Sequence, residues 1–345
     1  MRELSSLDLK ELTDLLVSMG EKPFRAKQVF EWIHVHRVSS FDEMTNLPKA
    51  LRAKLTAGYT LSALRTVTVQ TSRIDGTKKY LFETHDGQLI ESVRMVYRYG
   101  ASVCVSSQIG CRMGCGFCAS TTDGLVRSLN AGEMLSQVYR IHADTGTRVS
   151  HVVVMGMGEP FDNYDALIRF LRLLTAPEGY GLSVRNITVS TCGIVPRIYD
   201  FAAEGLGVTL ALSLHAPDQE TRERMMPAAK AYPLPEVIEA CVYYARTSGR
   251  RVTAEYAMAR GVNDSDRHAD RLAHLLKGTG IHVNLIPVNP VRGKAFSQSS
   301  DKALSRFKNR LENYGINVTI RRELGRDIDG ACGQLRRRYG ENQTE

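Results

Sequence analysis

The chain has 345 residues, 43% hydrophobic and 24% charged. These proportions exclude a disordered, fibrous or low-complexity chain and leave room for a barrel-sized core with a smaller attachment. No run approaches the ~18 apolar residues of a membrane span and the opening MRELSSLDLKEL is charged, so a cytoplasmic protein with no membrane partner is expected. The formal net charge of +8 favours a polyanionic partner, and seven cysteines, an odd number, point to metal or redox chemistry rather than a disulfide framework.

Residues 1–60 read as a small helical module. Ser6 is placed to cap a helix that runs to about Met19 and is closed by Gly20. Pro23 opens a second helix, whose Phe24, Val29, Phe30, Ile33 and Val35 mostly keep helical spacing, and shorter helical pieces follow around Phe41–Met44 and Pro48–Ala57. From 61 to 98 the pattern alternates and is broken by Asp75-Gly76 and Asp86-Gly87, dipeptides of tight hairpin turns, which predicts a β meander.

Residues 99–322 then alternate strand and helix. Strands are expected near 102–106, 151–155, 185–190, 208–214, 252–258, 281–287 and 316–321, with helices near 132–144, 163–174, 195–204, 235–247, 266–277 and 301–314 between them. Six βα units in succession predict a parallel α/β sheet, either open and doubly wound or partly closed as a barrel. Residues 323–345 form a tail. In either architecture ligands bind at the carboxyl ends of the strands.

Just past the first of these strands comes Cys111-Arg-Met-Gly-Cys115-Gly-Phe-Cys118. Three thiolates on a short glycine-containing loop can hold three corners of an iron–sulfur cubane, leaving one iron open to chelate a small molecule. A structural zinc is the alternative, but it prefers two paired ligand motifs, and there is no second pair; Cys104 is the available fourth ligand. One βα unit later the strand His151-Val-Val-Val-Met155 runs into Gly156-Met157-Gly158-Glu159-Pro160. There the glycines permit close approach of a ligand, and a carboxylate is placed to accept from an ammonium group.

Three further residues stand out. Glu91 shares the period-2 face of its strand with Leu89, Val93 and Met95, so the pleat points a carboxylate into an apolar row. That setting suits a general base; a salt bridge with Arg94 or Arg98 is the other reading. Cys332 lies in Gly330-Ala-Cys332-Gly333, where glycines would let a thiol swing over a site, although an incidental surface cysteine has the same pattern. Cys104 fits a small core residue equally well, and Cys192 and Cys241 read as packing. Arg321, Arg322 and Arg326 before Cys332, and Arg336, Arg337 and Arg338 after it, bracket it with groups suited to phosphate or to a solvated tail.

Together the cysteine loop, with Phe117 in the aromatic place, and the glycine-rich strand end resemble the radical S-adenosylmethionine (SAM) superfamily. The stretches CVSSQIGCRMGCGFC, GMGEPFDNY, STCGIVP, SLHAP, GVNDS, HVNLIPVNP and DIDGACGQL narrow the resemblance to the RlmN/Cfr family of RNA methyltransferases, and most to its RlmN branch. The resemblance implies a partial (β/α)6 TIM-like barrel carrying the helical module and the meander. It implies one [4Fe–4S] cluster on Cys111, Cys115 and Cys118, and SAM among Gly158, Glu159, Ser190, Ser213, Leu214, His215 and Asn289, with two SAM per turnover. Cys332 becomes a methyl carrier, Cys104 its resolving thiol through a transient disulfide, and Glu91 the base.

The implied reaction is methylation of carbon 2 of an adenosine in 23S rRNA and in tRNA, by a 5′-deoxyadenosyl radical and a methyl-cysteine, with a flavodoxin-type electron donor. Methylation of carbon 8, as in the Cfr branch, is the alternative within the family, although Pro160 follows the RlmN pattern. A non-catalytic iron–sulfur or zinc RNA-binding protein is the alternative outside it.

Overall fold

The computed structural model describes residues 2–61, 64–289, 295–328 and 333–343; Cys332 lies outside them. The N-terminal module comprises strand β1 (Arg2–Glu3), helices α1 (Leu9–Ser18), α2 (Phe24–Glu31) and α3 (Lys49–Gly58), and strand β2 (Tyr59–Thr60), which pairs parallel to β1. The α1 cap is Asp8, not Ser6. Asp8 accepts the Glu11 N–H at 2.8 Å while the Glu11 carboxylate accepts the Asp8 N–H at 3.0 Å, closing a reciprocal box. Ser6 lies two residues too early for this and instead accepts the Gly132 N–H at 2.9 Å, tying the module to the next domain.

The rest of the chain runs β3 (Arg65–Thr71), β4 (Lys78–Glu83), β5 (Leu89–Tyr97), β6 (Gly100–Cys104), β7 (Gln108–Gly110), β8 (Leu125–Ser128), α4 (Ala131–Thr145), β9 (Val149–Val154), α5 (Tyr164–Thr175), β10 (Ile187–Thr191), α6 (Val195–Ala203), β11 (Thr209–Ser213), α7 (Gln219–Met225), α8 (Leu234–Ser248), β12 (Val252–Met258), α9 (Asp266–Leu276), β13 (His282–Pro287), α10 (Asp301–Asn313), β14 (Val318–Ile320) and α11 (Gln334–Gln343). Ten strands form one sheet in the order β14-β13-β12-β11-β10-β9-β6-β5-β4-β3. The seven from β14 to β6 are parallel, and the three of the meander continue antiparallel from β6, with Val93 opposite Cys104.

The meander is therefore an extension of the barrel sheet rather than a separate layer. Among the described residues β14 and β6 do not pair, because β5 occupies the free edge of β6, and the barrel stays open. Along β13, Val283 and Leu285 join the core while His282, Asn284 and Ile286 stay half-buried on the opposite face; β10 alternates in the same way around Ser190. Helices cover the first face. The second face, lined by polar residues, is left to hold a ligand. The β7–β8 hairpin, α7 and the helix α11 in the tail are elements the alternation in sequence does not announce.

Candidate active site

The three-cysteine loop leaves β7 and returns at β8, and its neck is set by two glycines. A Cβ on Gly110, whose φ is +78°, would fall on the Gly124 carbonyl, which itself accepts the Cys111 N–H at 2.9 Å. Gly116 donates to the Met225 carbonyl at 2.8 Å, fastening the loop to α7, and the Thr121 hydroxyl donates to the carbonyls of Cys115 and Cys118. So held, Cys111, Cys115 and Cys118 border one cavity of about 270 Å³. Burial pushes the Cys111 thiol up to about 12 and the Cys115 thiol further, with the neighbouring thiols and Glu159 acting the same way.

Among the described residues no three His, Cys, Asp or Glu side chains converge on a single-ion site. Three thiols spread around one cavity suit instead a cluster that offers a separate iron to each. These residues fit the group.

Opposite the loop stand the strand ends. Gly158, at φ +101°, is pressed against β7, and a Cβ there would come within 2.5 Å of the Gln108 Cβ; at Gly156 it would meet the Val105 carbonyl at 2.7 Å. The glycines thus answer to the chain's own packing before any ligand. Glu159 is 5% exposed, and burial raises its pKa. Its carboxylate accepts the Cys192 N–H at 2.8 Å and the Phe161 N–H at 3.1 Å, so any ammonium group would share these oxygens with two main-chain donors.

Ser190 and Ser213 face each other at 3.4 Å on neighbouring strand ends. His215, at φ +58°, accepts the Ala257 N–H on Nδ1 at 3.1 Å. Burial lowers its pKa to about 3, so the neutral ring carries its proton on Nε2, and the ring packs edge-to-face with Phe117 at 4.8 Å between centroids. Asn289 also lines the cavity, whereas Leu214 does not: its side chain turns into the core and its N–H donates to the Glu255 carbonyl at 3.0 Å.

Sequence reading missed three residues here. Cys192, taken as packing, lines the cavity wall. Glu255, 6% exposed on β12, lines it too and accepts the Asn284 amide at 2.9 Å; a carboxylate inside the apolar run VTAEYAM was the available signal. Arg222 is fully buried and donates to the Cys192, Leu214 and Ser213 carbonyls, knitting the ends of β10 and β11 together.

A second cavity of about 430 Å³ shares Ile286, Pro287, Asn289 and Arg321 with the first. Cys104 borders it, together with Arg322, Arg326 and Gln334. Glu91 borders neither. It is 3% exposed, and its carboxylate pairs with Lys79 rather than with Arg94 or Arg98 and accepts the N–H groups of Gly333 and Arg336. No disulfide is present among the described residues, and the implied Cys104–Cys332 bridge involves a residue outside them.

Residues 2–60 match the model of the ribosomal RNA large subunit methyltransferase N-terminal domain, and residues 105–273 that of the radical SAM superfamily. A Lachnospira eligens protein named "Probable dual-specificity RNA methyltransferase RlmN" is 53% identical over 345 residues, spanning 100% of this chain and 99% of its own. The chain belongs to the RlmN family of radical SAM RNA methyltransferases.

An RlmN relative from Geobacillus kaustophilus is 54% identical over 342 residues, 98% of this chain and 93% of that protein. The crystal structure of a radical SAM methyltransferase from Sphaerobacter thermophilus superposes with a TM-score of 0.93 at 45% identity, over 97% of this chain and 99% of that one. Radical SAM membership implies a [4Fe–4S] cluster and SAM, and RlmN membership an RNA substrate. No helix among the described residues is long and apolar enough to cross a membrane.

Proposed function

We propose that this enzyme methylates carbon 2 of adenosine in 23S rRNA and in tRNA, in the cytoplasm, with a flavodoxin-type protein as electron donor. The observation that carries the reading is the shared wall between the two cavities. One is bordered by the three loop thiols and the strand ends that would hold SAM, the other by Cys104 and three arginines suited to phosphate contacts. Carbon 2 is a weakly nucleophilic aromatic position, so ordinary transfer from a sulfonium fails there. When bound to Cys111, Cys115 and Cys118, the cluster supplies the electron that cleaves SAM to a 5′-deoxyadenosyl radical.

The chain's own residues do the rest. Gly158, Glu159, Ser190, Ser213, His215 and Asn289 orient SAM. The Cys332 thiolate displaces S-adenosylhomocysteine from a first SAM and holds the methyl group as a thioether; when the 5′-deoxyadenosyl radical takes one hydrogen atom from that methyl, its carbon bonds to carbon 2 of the adenine and Cys332 is joined to the RNA. Glu91 receives the ring proton. The Cys104 thiolate then attacks the Cys332 sulfur, forming a transient disulfide and breaking the sulfur–carbon bond to the RNA; the freed carbon takes a proton to become the methyl group, the unpaired electron passes back to the electron carrier, and an external reductant restores both thiols.

Nucleosides digested from RNA treated with the anaerobically reconstituted enzyme should contain 2-methyladenosine. If 8-methyladenosine is the main product, the site specificity is overturned in favour of the Cfr-type reaction; absence of 5′-deoxyadenosine with reduced cluster, SAM and RNA present removes the radical reading altogether. Cys332→Ala should yield no methylated RNA, and Cys104→Ala should trap a covalent protein–RNA adduct visible on a denaturing gel. Normal turnover by either variant cancels the role given to that residue.

A further inference from the structure

A lysine without any exposed surface is costly unless its charge is met, and Lys79 on β4 has none. The antiparallel register places it diagonally across from Glu91 on β5: Lys79 lies opposite Val93 and Leu81 opposite Glu91, so all four share one face. The Lys79 Nζ stands 2.8 Å from the Glu91 Oε2, with the two side chains 0% and 3% exposed. The same carboxylate reaches into the tail. Oε2 accepts the Gly333 N–H at 2.5 Å and Oε1 the Arg336 N–H at 2.6 Å.

Gly333 directly precedes α11 and Arg336 lies in its first turn, where N–H groups have no partner within the helix and lie at the positive end of its dipole. A carboxylate from another element caps them in trans, and charge-assisted bonds of this kind are the strong ones. On its other side Gly333, at φ +80°, sits against the residues that follow Cys118: a Cβ would come within 2.9 Å of the Ala119 Cβ and the Ser120 nitrogen. Two residues on, Leu335 is buried. The start of α11 is thus wedged between the β4–β5 ion pair and the cluster loop.

We propose that Lys79 and Glu91 form a clamp that docks the C-terminal helix on the cluster loop, with Lys79 the positioning residue that holds the Glu91 charge and rotamer. Gly333 directly follows Cys332 in the chain, so the clamp fixes the point from which the carrier segment departs. Lys79 acts through Glu91 and touches neither cavity. The consequence for catalysis rests on Cys332 being the methyl carrier; the docking itself does not.

The test is amide hydrogen exchange of the full-length, cluster-loaded enzyme, read by mass spectrometry of peptides covering 333–343. Lys79→Met should speed exchange of this segment about tenfold or more while peptides from β12 keep wild-type protection, and steady-state RNA methylation should lose kcat with KM for RNA little changed. Glu91→Gln should release the same peptides, and the Lys79→Met, Glu91→Gln double variant should release them no further than the worse single one, because the residues act as one unit.

Should the sheet not tolerate Lys79→Met, the comparison of Arg336→Pro with Arg336→Ala gives the same readout from the tail side. Only the proline deletes the N–H that Glu91 accepts, so only Arg336→Pro should release the segment. Wild-type protection of 333–343 in both Lys79→Met and Glu91→Gln, or equal protection in the two Arg336 variants, overturns the clamp. If the segment is released as expected but Cys332→Ala still methylates RNA, the clamp stands and the carrier reading falls.

Discussion

Gly158 illustrates how closely one residue type is prescribed. Both its φ of +101° and the 2.5 Å between its virtual Cβ and the Gln108 Cβ forbid a side chain. Relief by a shift of Gln108 would disturb its amide oxygen, which accepts the Glu159 N–H at 2.9 Å, and with it the carboxylate that fastens the end of β10. Gly158→Ala should therefore lower stability by about 2–4 kcal/mol in thermal unfolding and weaken SAM binding by isothermal titration about tenfold or more. A variant with wild-type SAM affinity would show that this strand end does not shape the SAM site. Gly158 was legible from its place in a motif, whereas the geometric reason for it was not, because Gln108 lies 50 positions away in sequence.

Between elements, the junction of helical module and barrel is held by a histidine. His34, in the turn Trp32–His36 that follows α2, is fully buried with Nδ1 2.9 Å from the Tyr139 hydroxyl of α4, and burial lowers its pKa from 6.5 to about 3. The unfolded chain binds the proton more readily than the folded one. The stabilisation is complete above pH ~6.5 and is lost as the pH falls toward 3. For this single group, acidification from pH 7 to about 5.5 should remove about 1 kcal/mol from the unfolding free energy in urea, and His34→Gln should remove that part of the pH dependence. An unchanged pH slope in the variant would exclude the junction as its source. The spacing of α2 was readable from its apolar residues, but not that a polar residue just after it would be sealed against α4.

Across the whole molecule, the apolar residues of the module, among them Leu12, Phe30 and Leu51, belong to the same continuous core as Val152, Leu210 and Leu285 of the barrel strands. One core unfolds as one unit. Calorimetry should therefore show a single transition with matching calorimetric and van't Hoff enthalpies. Two resolved transitions would mean that the module folds by itself. The boundary near residue 60, where helical spacing gives way to alternation, marks a change of secondary structure without a break in packing.

The sequence by itself determined the alternation of strands and helices, a parallel sheet, and the loop and strand end that gather around the cavity. Each is written in local spacing: apolar periodicity, turn dipeptides, and cysteines four and three positions apart. It also marked Glu91 as a carboxylate in an apolar row. Only the tertiary structure decided what surrounds it. The meander joins the barrel edge to edge, Lys79 arrives from the adjacent strand, and the N–H groups of Gly333 and Arg336 arrive from more than 240 positions along the chain. Buried charge is settled by partners that burial brings together, and such partners carry no signature in the spacing of their own neighbours.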